Sequence, residues 1–295
     1  MEFIPELIHL ESNQLKVSIL PSLGGKMTSL YCKEKKFELL AQPARPYKKA
    51  AYGDDFSQYD MSGIDECFPN VDGGVDPVTG IHYPDHGEIW SAEFEVLGQD
   101  NKTVALAYAS PHFHYMYQKT IRLEGDRVTI SYHIHNQGDQ PLPAIWTFHG
   151  LFRHDKHLGY LTPFTNEDVL YVAGPKAGHK GPRPTPGPRT PMIIQEGMEK
   201  YYFLDKVPPL TKPPNHVGYW YMAHFAGCLL LYDTKDLPYL GAWTTAGGFE
   251  GQYHCALEPS NGFYDAIPIA RKNNALPVLQ PGQAWAFTMA LQPIL

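Results

Sequence analysis

Apolar and polar positions alternate with a period of two along most of this chain. Leu15, Val17 and Ile19 alternate with polar neighbours, and Pro21-Ser22-Leu23-Gly24-Gly25 then reads as a turn. Val104, Leu106 and Tyr108 repeat the pattern. The clearest hairpin joins residues 119–123 to residues 128–134 through Glu124-Gly125-Asp126-Arg127. Its apolar face is Ile121, Leu123, Val128, Ile130, Tyr132 and Ile134, the alternation expected of half-buried strands. A final strand over residues 284–291 puts Trp285, Phe287, Met289 and Leu291 on one face, after a turn at Pro281-Gly282. No segment longer than about ten residues carries a helical stripe of 3.6-residue period. The 27 prolines and 26 glycines would interrupt long helices. The pattern predicts an all-β protein of many short strands, a large sandwich or barrel with few short helices.

Composition never shifts enough to mark a boundary, so residues 1–295 are expected to form a single domain. One stretch stands apart. Residues 173–191 are rich in proline and glycine and carry Lys176, Lys180, Arg183 and Arg189. They are expected to form neither regular strand nor helix, but a loop at the rim of a cleft.

Charge narrows the partners. A net charge of −7 offers no basic excess to steer the chain toward nucleic acid or an anionic membrane. No apolar run reaches the roughly 18 residues of a membrane span. Met1-Glu2-Phe3-Ile4-Pro5-Glu6 lacks the basic start and apolar run of a signal peptide. Cys32, Cys67, Cys228 and Cys255 are scattered without a Cys-x-x-Cys pair, as expected of free thiols in a cytoplasmic protein. A small neutral ligand suits this balance.

Three segments carry candidate chemistry. In Ala256-Leu257-Glu258-Pro259-Ser260-Asn261-Gly262, Glu258 follows an apparent strand and precedes a turn; it is either a turn-supporting glutamate or a general base on a rigid strand. In Trp146-Thr147-Phe148-His149-Gly150-Leu151-Phe152-Arg153, an extended chain puts Trp146 and Phe148 on one face, Thr147 and His149 on the other. His149 is either a hydrogen-bonded core histidine or an imidazole tuned by partial burial for acid–base work. In Tyr83-Pro84-Asp85-His86-Gly87-Glu88-Ile89-Trp90, His86 sits in a turn, either simply exposed or bonded to a sugar hydroxyl while Trp90 stacks on the ring.

Two rival chemistries are weaker. His112-Phe113-His114 and His133-Ile134-His135 have metal-ligand spacing, but no third ligand is spaced near them, so no metal is expected. A glycosidase needs two carboxylates flanking one bond, and no spacing among Asp54, Asp55, Asp60, Asp65, Glu66 and Asp265 singles out a pair.

The three segments, in this order, resemble the galactose mutarotase-like (aldose 1-epimerase) family. Residues 17–30 (VSILPSLGGKMTSL) are similar to its opening strand, Gly-Gly turn and second strand. Asp85-His86-Gly87 resembles its first histidine element and Phe148-His149-Gly150-Leu151-Phe152 its second. Residues 237–243 (LPYLGAW) and 256–262 (ALEPSNG) resemble its late strand and its catalytic glutamate strand, and Leu279-Gln280-Pro281-Gly282-Gln283 its closing turn. The resemblance implies a large antiparallel β-sandwich, the galactose mutarotase-like super-sandwich, binding sugar in a cleft on one sheet. It implies anomer exchange with no cofactor: Glu258 as the base at the C1 hydroxyl, His149 as the acid at the ring oxygen, His86 holding substrate. Two positions depart from the family pattern: Phe148 stands where asparagine is usual, and Glu88 where a second glycine is usual.

The remaining expected ligand contacts are Trp90, Trp243, Asn70, Asp205 as the sugar-binding aspartate, and Arg153, which would suit an acidic or phosphorylated sugar. Within residues 61–70, Asp65 and Glu66 are further candidates to reach the ligand. The expected function is an aldose 1-epimerase-type isomerase. The alternative is a non-catalytic carbohydrate-binding protein on the same fold, since a fold alone does not fix function.

Overall fold

The structure, a computed structural model, describes residues 3–162, 168–182, 193–204 and 215–295. The alternation becomes two large sheets. One follows the order Ile8–Glu11, Leu15–Leu20, Lys26–Cys32, Ile64–Cys67, Thr147–Gly150, Tyr253–Ser260, Tyr239–Ala246, Gly197–Phe203, Asp168–Ala173 and Lys180–Pro182. The other includes the hairpin Tyr115–Glu124 and Arg127–Asn136, with Ala284–Ile294 beside it. Every described pairing within these two sheets is antiparallel. The only α-helix among the described residues is Ile267–Lys272.

The inner faces meet in one apolar cluster drawn from both sheets. Ile121, Leu123, Val128, Ile130, Tyr132 and Ile134 are all buried there, as the hairpin pattern predicts. Val17, Ile19 and Leu30 face them from the first sheet, on either side of a turn in which Gly24 and Gly25 take φ of +64° and +59°. A side chain at Gly24 would meet the backbone of Ile89 and Trp90 within 3 Å, so this turn needs glycine.

Charged groups also cross the interior, each with partners. Glu66 accepts from Lys119 at 2.7 Å and from Tyr132 at 2.8 Å, both on the opposite sheet. Glu88 accepts from the hydroxyls of Tyr108, Ser110 and Tyr115 at 2.7–2.9 Å. A buried carboxylate left unpaired would cost several kcal/mol, and these contacts avoid that.

Two local expectations change. The Glu258 strand does not stop at Pro259 but continues to Ser260. Proline is tolerated because the flanking ladder is interrupted there: it pairs at Thr147↔Ser260, then only at Phe152↔Cys255 and Arg153↔His254. Lys180–Pro182, within the stretch expected to be irregular, pairs with the strand Asp168–Ala173. Residues 183–192 lie outside the described residues. No helix among the described residues is long and apolar enough to cross a membrane.

Candidate active site

The register sorts the functional side chains by face, because directly opposed residues on an antiparallel pair point the same way. Phe148 opposes Glu66 and His149 opposes Asp65. The first pair faces the opposite sheet; the second faces outward. On the next strand, His254, Ala256 and Glu258 alternate onto one face. Gly241 lies opposite Glu258, Trp243 opposite Ala256, and Lys200 opposite Trp243. The gap between the His149 and Glu258 strands breaks the sheet where these side chains converge.

A cleft of about 620 Å³ opens there, within the range of small-molecule sites. His86, His149, Lys200, Trp243, His254 and Glu258 line it. So do Phe56, Met61, Leu151 and Phe249, which belong to or pack on a small apolar cluster apart from the main core. His86 enters from a turn at φ +57°, followed by Gly87 at φ +72°. A Cβ at Gly87 would lie 2.4 Å from the Phe68 carbonyl oxygen, so this glycine fixes the turn that delivers His86. The His86 ring stacks on Phe56 with centroids 4.3 Å apart and stands 5.2 Å from the His149 ring. Its Nδ1 is 2.9 Å from Asp85 Oδ2, which orients the ring.

The electrostatics follow from burial. Glu258 is buried, and desolvation raises its carboxyl above the usual range, while attraction to Lys200 opposes the rise. Burial drives the His149 imidazole well below its ordinary value, and His86 and Lys200 push it the same way. Burial lowers His254 to about 4. Burial alone would lower Lys200, but Asp265 and Glu258 outweigh it and hold the ammonium above its ordinary value. Lys200 Nζ stands 3.4 Å from Glu258 Oε2, an ion pair without hydrogen-bond alignment, and 3.0 Å from Asp265 Oδ1. Tyr202 donates to the same Asp265 oxygen at 2.6 Å. His149 Nδ1 and Glu258 Oε2 are buried and have no hydrogen-bond partner among the described residues. With His254 Nε2, another such atom on a residue that lines the cleft, three of them suit a polar ligand with its own donors and acceptors.

The structure thus brings together Glu258, His149, His86 and Trp243. It does not bring the other expected contacts to the cleft. Trp90 is buried behind Phe56, with ring centroids 5.1 Å apart, and its indole nitrogen reaches the Asp85 carbonyl at 3.4 Å. Asn70 is fully buried and donates to the Asp72 and Pro84 carbonyls, holding the loop that carries His86. Arg153 is exposed, its guanidinium 5.3 Å from the Phe37 ring centroid. Glu66 is bound by Lys119, Asp65 lies 3.3 Å from the Lys26 ammonium, and neither lines the cleft. Asp205 lies outside the described residues. His133 is exposed and His135 half-buried on the outer face of their strand, and no group of three or more metal-ligating side chains occurs among the described residues.

Sequence reasoning missed Lys200, His254 and Phe56, and named Asp265 only among carboxylates without a partner. His254 shares a period-two face with Glu258, a signal present in the sequence. Lys200 and Asp265 carry no local signal, since only long-range strand pairing and a turn at φ +44° bring them beside Glu258.

Comparison with solved structures agrees with this architecture. A protein of Synechocystis sp. PCC 6803 is 19% identical, with a TM-score of 0.75, covering 99% of this chain and 98% of its own. A galactose mutarotase related enzyme from Lactobacillus acidophilus is 15% identical, TM-score 0.75, covering 98% of each chain. A galactose mutarotase-like protein from Lactobacillus casei ATCC 334 is 16% identical, TM-score 0.75, covering 98% of this chain and 100% of its own. The chain has the galactose mutarotase-like fold. A family model described as a domain of unknown function (DUF4432) matches residues 221–292. No curated protein matches the sequence.

Within that mutarotase-like fold, the two departures at Phe148 and Glu88 acquire a physical meaning. Phe148 points into the core, and a side chain at Gly150 would strike its ring at 2.4 Å. Glu88 points away from the cleft toward three hydroxyls. Neither side chain lines the cleft.

Proposed function

We propose that the protein is a mutarotase-type isomerase that exchanges the anomers of a neutral aldose. The observation that carries this reading is the convergence of Glu258, His149 and His86 on one cleft, with buried atoms on Glu258 and His149 that make no hydrogen bond among the described residues. In the ring-opening step Glu258 takes the proton of the C1 hydroxyl while His149 gives a proton to the ring oxygen. The C1–ring oxygen bond breaks, C1 becomes an aldehyde, and rotation about C1–C2 exposes its other face. Ring closure then returns both protons. Each positioned proton transfer is worth about 10²–10⁴-fold in rate.

Free protein resists this pairing of charges, because burial disfavours both the carboxylate and the imidazolium. A bound hemiacetal offsets this by hydrogen-bonding to both groups, and His149 takes up from solvent, as substrate binds, the proton it then gives to the ring oxygen. His86, oriented by Asp85, adds a second imidazole beside His149 to hold the ring oxygen or a neighbouring hydroxyl. Trp243 and Phe56 offer apolar faces to the sugar ring.

The neutral charge of the substrate is argued from the lining. Asp55, Asp72, Asp85 and Glu258 face the cleft, while Lys200 is its one lysine or arginine among the described residues and already serves two carboxylates. Among the described residues an anionic sugar would find no free cation there, and Arg153 lies elsewhere. The test is anomer exchange followed by NMR across neutral, phosphorylated and acidic aldoses. Accelerated exchange of a neutral aldose supports the reading. Binding without acceleration, or no response from any sugar, refutes it.

A further inference from the structure

Lys200 is the unexplained charge of the cleft. It is nearly buried, its side chain 12% exposed, and it sits one strand beyond Trp243 from the Glu258 strand. Its Nζ nevertheless lies 3.4 Å from Glu258 and 3.0 Å from Asp265. Two features fix that arrangement. Tyr202, two residues along the same strand face, anchors Asp265 through its hydroxyl at 2.6 Å. Gly241, opposite Glu258, leaves room for the carboxylate to lie against the Tyr202 ring. Lysine thereby becomes a point charge clamped between two buried carboxylates, unlike a phosphate-binding lysine whose ammonium reaches into solvent.

The other groups that act on Glu258 offer no substitute. Asp265 repels it, and His86 is the remaining basic side chain felt there. Cys67, Tyr202 and Tyr219 are further titratable neighbours, all held as neutral side chains by burial. His149, across the cleft, is kept uncharged by burial.

We propose that Lys200 is the positioning residue of Glu258: clamped by Asp265, its ammonium is the built-in counter-ion that keeps a buried carboxylate ionised and fixed in place, and it is not a ligand for substrate. The proposal rests on the mutarotase reading for its kinetic consequences only, since the ionisation of Glu258 is measurable without any sugar. Attraction between unlike charges at this separation is strong in a site with little water, which is why one ammonium can offset the burial of a carboxylate.

The direct experiment is an infrared titration of the Glu258 carboxylate. Its band is assigned by subtracting spectra of Glu258→Gln and followed in wild type, Lys200→Met, Lys200→Arg and the double variant Lys200→Met/Asp265→Asn. The double variant removes the repulsion that Lys200→Met leaves between two carboxylates, and asparagine tolerates the left-handed backbone at 265, so the chain stays folded. Protonation of Glu258 should move to higher pH in both Met variants. The double variant should move less, because the lost Asp265 repulsion partly compensates the larger lost Lys200 attraction. Lys200→Arg should stay near wild type.

With a responsive aldose, the acidic limb of kcat/KM should follow the infrared shift. The loss should fall on kcat, with KM for a neutral sugar within about twofold, the pattern of a group acting on the transition state. An unmoved carboxylate band in both Met variants would overturn the proposal. So would a loss confined to KM with the acidic limb unmoved. If no aldose exchanges, the mutarotase reading fails and the infrared result still decides the role of Lys200.

Discussion

Gly241→Ala probes the packing behind the proposed base. Gly241 is in regular strand, so the methyl group meets no backbone penalty and acts through contact alone. A Cβ there would lie 3.1 Å from Glu258 Oε2 and 3.2 Å from two atoms of the Tyr202 ring. Those distances are a few tenths of an ångström too short, and both neighbours are buried, so the carboxylate and the ring must give way together. Overpacking of this kind costs about 1–3 kcal/mol. At roughly 2–4 °C per kcal/mol for a chain of this size class, the melting temperature should fall by about 2–12 °C. A 1 Å misplacement of a catalytic group costs on the order of 10²-fold, so a shift of a few tenths should cost about fourfold in kcat. Thermal unfolding and NMR anomer exchange give the two numbers. Unchanged melting would show that the site has slack that the structure denies. Lowered melting with unchanged kcat would show that the position of Glu258 does not matter to rate.

Other expectations concern the surroundings. Glu88→Gln breaks a cluster of three hydroxyl donors to a charged acceptor and should cost about 1.5–3 kcal/mol in urea unfolding while leaving kcat within twofold; a large loss of rate at unchanged stability would contradict its placement away from the cleft. His254 is lowered to about 4 in the fold and titrates near 6.5 when unfolded, so the unfolded chain binds the extra proton between these values and stability falls on acidification through that window. His254→Gln should remove that contribution, at most about 3 kcal/mol, and flatten the melting temperature between pH 6.5 and 4.5 relative to wild type; identical slopes would refute it. Arg153→Ala should leave KM for any responsive sugar unchanged, because the guanidinium lies on Phe37; a rise in KM would place it at the ligand.

Much of the fold was legible because period-two patterning is local. The face of Ile121, Leu123, Val128, Ile130, Tyr132 and Ile134 could be read residue by residue, and so could the placing of Phe148 and His149 on opposite faces of their strand. Strand ends were less legible. Proline 259 reads as a stop signal, yet an interrupted ladder lets the strand run through it. Lys180–Pro182 reads as loop, because its composition conceals the pairing that makes it strand.

The site divided along similar lines. Glu258, His149 and His86 stand in short motifs, and the sequence holds their spacing. Trp90 and Asn70 also stand near those motifs, but each turned out to support the loop behind the cleft rather than line it. Lys200 and Asp265 are invisible locally: their partnership arises from the pairing of distant strands and one left-handed residue. Phe148 and Glu88 stand beside cleft residues in sequence but not in space. Both side chains face the interior and pack between the sheets rather than line the cleft.

The most direct measurement compares anomer exchange by wild type and Glu258→Gln under saturating aldose, with binding of the same sugar measured by calorimetry. Wild type should accelerate exchange of a neutral aldose, and the glutamine variant should be about 10²–10⁴-fold slower while binding within a few-fold of wild type. Full activity in the glutamine variant, or a wild type that accelerates exchange of no aldose, would contradict the assignment of Glu258 as the base of a mutarotase.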